Sequence, residues 1–293
     1  MQVTNFGKTG LAVTRLGFGA MHLNDERVSE NDAGRLLNLV LDSGVNLIDT
    51  ARGYGLSEER IGRHIAHRRS EFVLSTKVGY GIPGYQDWTY DCITAGVEAA
   101  LQRMGTDVLD IVHFHSCPLH VLEQGDVIRA LEDCQSAGKL RVAAYSGDNA
   151  ELRWALDSGR FDSVQTSVSL CDQANLIQHL PTAIERGVGV IAKRPLAGAV
   201  WRFGQRPSDY AEGQYWDRFQ AMGIDPQGLD WSELALRFAA FAPGVSTAIV
   251  GTQKPENFAQ NLDAISRGPL DSTLHHLVTD AFRRCGYEWS SLI

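Results

Sequence analysis

The sequence predicts an α/β fold, a closed (β/α)8 barrel. Eight short apolar runs alternate with eight amphipathic stretches, the pattern of a parallel sheet built from strand–helix units. Eight units also suffice to close a barrel, and 293 residues accommodate one of roughly 250. A third observation weakens the main competitor. An open doubly wound sheet usually carries Gly-x-Gly-x-x-Gly after its first strand. Here the first apolar run offers only Gly17-Phe18-Gly19-Ala20, with no helical pattern directly behind it.

The expected strands are Leu16–Met21, Asn46–Thr50, Phe72–Val78, Leu109–His115, Val142–Ser146, Ser163–Val168, Gly189–Lys193 and Thr247–Val250. The expected helices are Asp32–Asp42, Glu58–Ala66, Ile93–Met104, Val127–Ala137, Leu152–Asp157, Leu176–Glu185, Ser232–Phe241 and Glu256–Ile265. Ser29, three residues before Asp32, can cap the first helix and Gly44 can end it; Gly138, Gly159 and Gly187 follow later helices in the same way. Ahead of the barrel, Gln2 to Val13 reads as a small hairpin turning at Lys8-Thr9-Gly10 and able to plug the barrel bottom. Three stretches exceed the usual connection length: Gly79–Tyr90, Ala197–Asp230 at about 34 residues, and the tail after Gly268. In a barrel the first two leave from the C-terminal face, where long loops shape a pocket.

Composition narrows the partners. A hydrophobic content of 44% supports a substantial core. A net charge of −8 without long runs of one sign argues against a general nucleic-acid or anionic-membrane binder, and leaves a small molecule as the expected partner. Five scattered cysteines (Cys92, Cys117, Cys134, Cys171, Cys285) lack Cys-x-x-Cys spacing, as free thiols in a reducing cytosol would. Met1 to Lys8 has no apolar core of signal-peptide length, and no stretch approaches the roughly 20 apolar residues of a membrane span. The expectation is a cytoplasmic protein; its oligomeric state is not legible.

The chemistry concentrates at strand ends. The run from Asp49 to Glu59, Asp-Thr-Ala-Arg-Gly-Tyr-Gly-Leu-Ser-Glu-Glu, reads as a strand end, a loop and a first helical turn. It brings a carboxylate and the Tyr54 phenol to one cleft. Lys77 lies at the end of the next strand, and His115 ends the one after that. A free phenol, with a pKa of about 10, is a reluctant proton donor near neutrality, and a lysine beside it favours the phenolate. The pair His113 and His115, with His120 nearby, admits a second reading. Residues two apart on a strand face the same side and could bind a metal, as in a barrel hydrolase.

These motifs resemble those of the aldo-keto reductase superfamily, nearly end to end. The likeness runs through Gly7–Leu11, Leu16–Gly19, Asp49–Glu59, Ser75-Thr76-Lys77, Asp107–His115, Gly138–Arg141, Pro195-Leu196, Gly251-Thr252 and Asn261. The resemblance implies a TIM barrel over residues 1–293 as a single domain. It also implies reversible reduction of a carbonyl to an alcohol, with a nicotinamide dinucleotide and no metal. Asp49, Tyr54, Lys77 and His115 would be catalytic: Tyr54 as proton donor, Lys77 beside it, Asp49 holding Lys77, and His115 orienting the substrate carbonyl.

The resemblance extends to cofactor and substrate contacts. Ser146 and Gln165 would clamp the nicotinamide carboxamide, although Gly147 stands where the family usually has asparagine. Lys193 replaces the usual stacking aromatic, in a Lys193-Arg194-Pro195-Leu196 run seen in a subset of bacterial-looking members. It could meet a cofactor phosphate or the substrate; Arg194 could do the same or be a rim charge. Backbone N–H groups from Leu196 to Gly198 would take the pyrophosphate. Gly251, Thr252, Lys254, Asn257, Gln260 and Asn261 would grip the adenosine end, and Gly19 and Met21 complete the cofactor set with Asp49. NADP is the expected cofactor, with NAD the alternative. The substrate would meet His22, Trp88, Trp201, Trp216 and Trp289 beside Tyr54. A nucleotide-binding regulatory subunit without turnover is the competing function on the same fold.

Overall fold

In a computed structural model describing residues 2–24 and 26–292, a small hairpin leads into a closed barrel. Met1, Asp25 and Ile293, which belong to the expected span 1–293, lie outside the described residues. The hairpin pairs β1 (Val3–Asn5) with β2 (Ala12–Thr14), antiparallel. The barrel strands are β3 (Leu16–Gly19), β4 (Leu47–Asp49), β5 (Val73–Val78), β6 (Leu109–His115), β7 (Leu140–Ser146), β8 (Ser163–Ser167), β9 (Gly189–Lys193) and β10 (Thr247–Val250). Every neighbouring pair is parallel, and β10 closes the ring against both β9 and β3. This is the (β/α)8 TIM barrel that the alternating pattern predicts.

The helices are α1 (Glu30–Asp42), α2 (Ser57–Ile65), α3 (Tyr90–Met104), α4 (Leu119–Gln124), α5 (Asp126–Ser136), α6 (Asn149–Ser158), α7 (Ala174–Gln178), α8 (Leu180–Arg186), α9 (Tyr210–Met222), α10 (Trp231–Ala240), α11 (Pro255–Ser266) and α12 (Ser272–Cys285). Ser29 caps α1 by accepting the Asp32 N–H at 3.1 Å, and Gly159 and Gly187 end α6 and α8 in the left-handed conformation. The stretch expected as one helix, Leu176–Glu185, is two. Pro181 sits at the first turn of α8, where its missing N–H costs nothing, so the chain breaks just before it at His179. Three helices escape the sequence pattern: α4, and two inside the long stretches. Asp209 caps α9 and Asp271 caps α12 through their side chains. Neither the 197–230 stretch nor the tail is structureless.

The hairpin does plug the barrel bottom. Phe6, Leu11 and Val13 pack with Leu47, Val73, Ile111, Val142, Ala144 and Ile191, which point inward from five strands. The approach is close: the Lys8 N–H donates to the Gly187 carbonyl at 2.8 Å. A Cβ on Gly7, which has φ +54°, would stand 2.4 Å from that oxygen, so only glycine serves. With one end filled, the open end is the C-terminal rim. Among the described residues no helix is long and apolar enough to cross a membrane.

Candidate active site

The strand ends bring Asp49, Lys77, Ser146 and Gln165 into one buried network. Lys77 Nζ donates to Asp49 Oδ2 at 2.7 Å and to the Thr50 carbonyl at 2.8 Å. Asp49 Oδ1 accepts from Ser75 Oγ at 2.8 Å and from Gln165 Nε2 at 3.0 Å, and Ser146 Oγ donates to Gln165 Oε1 at 3.0 Å. All five side chains are buried. A buried ion pair survives when further hydrogen bonds satisfy both partners, as here. Burial pushes the Lys77 ammonium down, but Asp49 and Tyr54 pull harder, and its pKa lies above the ordinary lysine value.

Tyr54 reaches this network from a tight loop. Its own N–H and that of Ser57 close successive turns, and Ser57 Oγ ties the loop to the Ala20 carbonyl at 2.9 Å. Gly55 passes Asn24 so closely that a Cβ would meet its carbonyl at 2.7 Å. The result sets the Lys77 ammonium 4.9 Å from the Tyr54 ring centroid. His115, at the end of β6, stands edge-on to Tyr54 with ring centroids 5.7 Å apart. Burial, then Lys77, push the His115 imidazole down to about 3, so it is neutral at physiological pH.

Tyr80 is a neighbour that sequence reasoning missed. Its hydroxyl lies 2.8 Å from His115 Nδ1. The only signal was its place three residues past Lys77, in a stretch noted for Gly and Tyr. Trp88, expected at the substrate, backs Tyr80 at 5.9 Å and Phe114 at 6.4 Å between ring centroids. His113 lies fully buried within the barrel, pushed down to about 3 by burial and then by Lys77. The two histidines therefore occupy different environments. Among the described residues no three His, Cys, Asp or Glu side chains gather as a metal set.

The expected cofactor contacts divide. Ser146 and Gln165 stand side by side across β7 and β8, with donors and acceptors suited to a carboxamide. Gly147 has a local reason: a Cβ there would lie 2.4 Å from the Tyr145 hydroxyl, so the ring of Tyr145 displaces any asparagine. The Lys193 Nζ, expected at a cofactor phosphate or the substrate, pairs here with Asp148 Oδ2 at 2.8 Å. Asp148 Oδ1 also accepts from Thr166, Ser167 and Asn175. Arg194 is not a loose rim charge either; it donates to the Leu292 carbonyl at 2.6 Å, and the tail is further held by Asn149, Asp172 and Arg218. Beyond Pro195, the Ala197 N–H closes on Arg194 and the Ala199 N–H on Leu196, around Gly198 at φ +67°. The Ala197 N–H, expected among the pyrophosphate donors, is thus engaged in the turn.

On the same C-terminal rim, at the ends of β10 and β3, Gly251 packs on Gly19, where a Cβ would meet the Gly19 carbonyl at 2.5 Å. Thr252 Oγ accepts the Lys254 N–H at 3.0 Å and so serves the turn before α11. Asn261 is buried, while Met21, Lys254, Asn257 and Gln260 are exposed. Arg27, Arg35 and Lys254 share an open groove of about 840 Å³ between α1 and α11 with Asp32, Asp42 and Glu256.

The other four expected substrate contacts have packing roles of their own. Trp201, Trp216 and Trp289 pack on a second apolar cluster with Tyr215, Phe238 and Phe282. Trp201 stacks on Trp231, Trp216 Nε1 donates to the Phe203 carbonyl, and Trp289 meets Phe282 and Arg218. Large aromatics in a long segment supply apolar surface on which α9 and α12 pack. His22 sits by Gly251, its carbonyl bonded to Gln253.

Known proteins resemble this chain in sequence and fold. Residues 15–281 match the model of the aldo/keto reductase family. The chain is 26% identical to an NADH-specific methylglyoxal reductase of Escherichia coli, over 97% of this chain and 100% of that one. It is 28% identical to a probable voltage-gated potassium channel subunit beta of Arabidopsis thaliana, over 92% and 93%. The solved holo form of an aldo-keto reductase from Bacillus halodurans superposes with a TM-score of 0.84 at 26% identity, covering 96% of each chain. With a family match over most of its length and a barrel to fit, this chain belongs to the aldo/keto reductase family, oxidoreductases that use a nicotinamide cofactor on small molecules.

Proposed function

We propose that this chain reduces an aldehyde or ketone to the alcohol, reversibly, with Tyr54 as proton donor. The observation that carries the reading is the Lys77 ammonium held 2.7 Å from Asp49 Oδ2 and 4.9 Å from the Tyr54 ring centroid, all at one barrel mouth. A bound dinucleotide supplies hydride from nicotinamide C4. Tyr54 passes its phenolic proton to the carbonyl oxygen as negative charge grows there. Lys77 stabilises the phenolate left behind, and Asp49 keeps Lys77 charged and in place. His115, neutral, offers a ring N–H to the same oxygen. Ser146 and Gln165 hold the carboxamide, and because Gln165 also bonds Asp49, one side chain ties ring orientation to the acid network.

Of the two dinucleotides we propose NADP, on the support of Lys254 and Arg27 in the groove at the start of α11, where a 2′-phosphate would find cations and a helix N-terminus. The three carboxylates in that groove make the preference over NAD small. Tyr54, Tyr80 and Trp88 around one polar centre suit a hydrophobic or sugar-like carbonyl compound. Five unpaired cysteines suit a reducing, cytoplasmic setting.

Fluorescence quenching with NADPH and NADH, followed by carbonyl-dependent turnover, tests the reading. Tyr54→Phe should lower turnover by about 10²–10⁴-fold with dinucleotide affinity unchanged. Undiminished reduction by that variant removes Tyr54 as donor. Tight dinucleotide binding with no turnover over a broad carbonyl panel would point instead to a nucleotide-binding subunit.

A further inference from the structure

Tyr80 has a geometry more specific than packing requires. Its hydroxyl is 2.8 Å from His115 Nδ1, and the two rings lie near-parallel, 20° apart in plane with centroids at 5.4 Å. The surroundings hold it there. Gly79 has φ +146°, and a Cβ on it would lie 2.3 Å from the Trp88 indole; its absence lets that indole back Tyr80. Trp88 itself takes a left-handed φ of +59° and donates its N–H to the Gly79 carbonyl at 2.8 Å. On the other side, a Cβ on Gly53 would stand 3.3 Å from the Tyr80 hydroxyl. Two glycines and an uncommon tryptophan backbone thus clear and wall the position of one phenol.

A neutral imidazole has one N–H and one acceptor nitrogen. Burial raises the Tyr80 phenol above its ordinary value, so near neutrality it keeps its hydrogen and can donate. A phenol can donate or accept at this distance; in the donating direction Nδ1 accepts and the single imidazole hydrogen sits on Nε2. We propose that Tyr80 is a positioning residue that fixes His115 as its Nε2–H tautomer and holds the ring plane, so that the imidazole meets a substrate oxygen with a donor rather than a lone pair. The proposal rests on the carbonyl-reductase reading for the use of that donor, but not for the tautomer itself.

The test is 15N–1H correlation of the histidine rings in the full chain, for the wild type and Tyr80→Phe, which keeps the ring and removes only the hydroxyl. The wild type should show His115 protonated at Nε2 and unprotonated at Nδ1. Tyr80→Phe should show mixed or reversed tautomers. It should also lose about tenfold in kcat/KM for the carbonyl, the order of one hydrogen bond, without weaker dinucleotide binding. A wild-type His115 protonated at Nδ1 overturns the proposal, even if the variant fails to fold. So does a Tyr80→Phe protein with an unchanged His115 spectrum. The spectrum needs no turnover. An Nε2–H wild type that loses this tautomer in Tyr80→Phe, yet reduces no carbonyl, therefore supports the tautomer assignment while the reductase reading falls.

Discussion

Two lysine–aspartate pairs stand on the same rim, one fully buried and one whose lysine is partly exposed, and they behave oppositely. Lys77–Asp49 closes at 2.7 Å and Lys193–Asp148 at 2.8 Å, each between strand-end residues. Burial alone pushes both lysines down. For Lys77 the neighbours are Asp49 and Tyr54, and the net shift is up. For Lys193 the carboxylate is opposed by the cations Arg194 and Lys77, and the net shift is down. The same contact therefore accompanies a raised pKa at one ammonium and a lowered one at the other. At nearly equal pair distances the two ammoniums shift in opposite directions, with burial the largest cause at each and the further charges differing.

Removing each lysine separates the two cases. Lys77→Met leaves the buried Asp49 without its counter-charge and should cost about 3–5 kcal/mol of stability, besides most of the turnover. Lys193→Met should cost less, about 1–3 kcal/mol, because Asp148 keeps three donors on Oδ1. Urea midpoints of the two variants give the comparison; equal losses would break it. Gly147→Asn, restoring the residue usual in the family, should cost about 1–3 kcal/mol, because the side chain would overlap the Tyr145 ring. A variant as stable as the wild type would show that Tyr145 yields.

The smallest expected effect is in pH. A lysine whose folded pKa is lowered leaves the unfolded chain holding more protons just below 10.5, so stability rises with pH there. The wild-type advantage over Lys193→Met should widen as pH climbs towards 10.5. Lys77 has the opposite sign: its contribution is complete below 10.5 and declines only above that value. Parallel curves for the two variants through this window would contradict the opposed shifts.

Strands were the most legible elements. Leu109–His115, Gly189–Lys193 and Thr247–Val250 match the structure residue for residue, because a buried parallel strand is a short apolar run between turn residues. Helices α9 and α12 escape the pattern of eight units. Helix α9 carries no clean apolar stripe. Helix α12 does, with Leu274, Val278, Ala281 and Phe282 at helical spacing, and escapes because it lies beyond the eighth strand–helix unit; the two pack into one apolar cluster. The same packing gives Trp201, Trp216 and Trp289 a place in that cluster, which their isolated chemistry did not show.

Local sequence determined the barrel, its hairpin plug, and the strand-end positions of Asp49, Lys77 and His115, because period and turn chemistry act over a few residues. Tertiary structure alone decided who faces whom. Tyr80 meets His115 across 35 positions of chain, Asp148 meets Lys193 across the β7–β9 rim, and Arg194 holds Leu292 from the far end of the molecule. Side-chain identity supplies a charge or a donor, but its partner is chosen by barrel closure, which brings distant strand ends to within hydrogen-bonding distance. No local pattern encodes that distance.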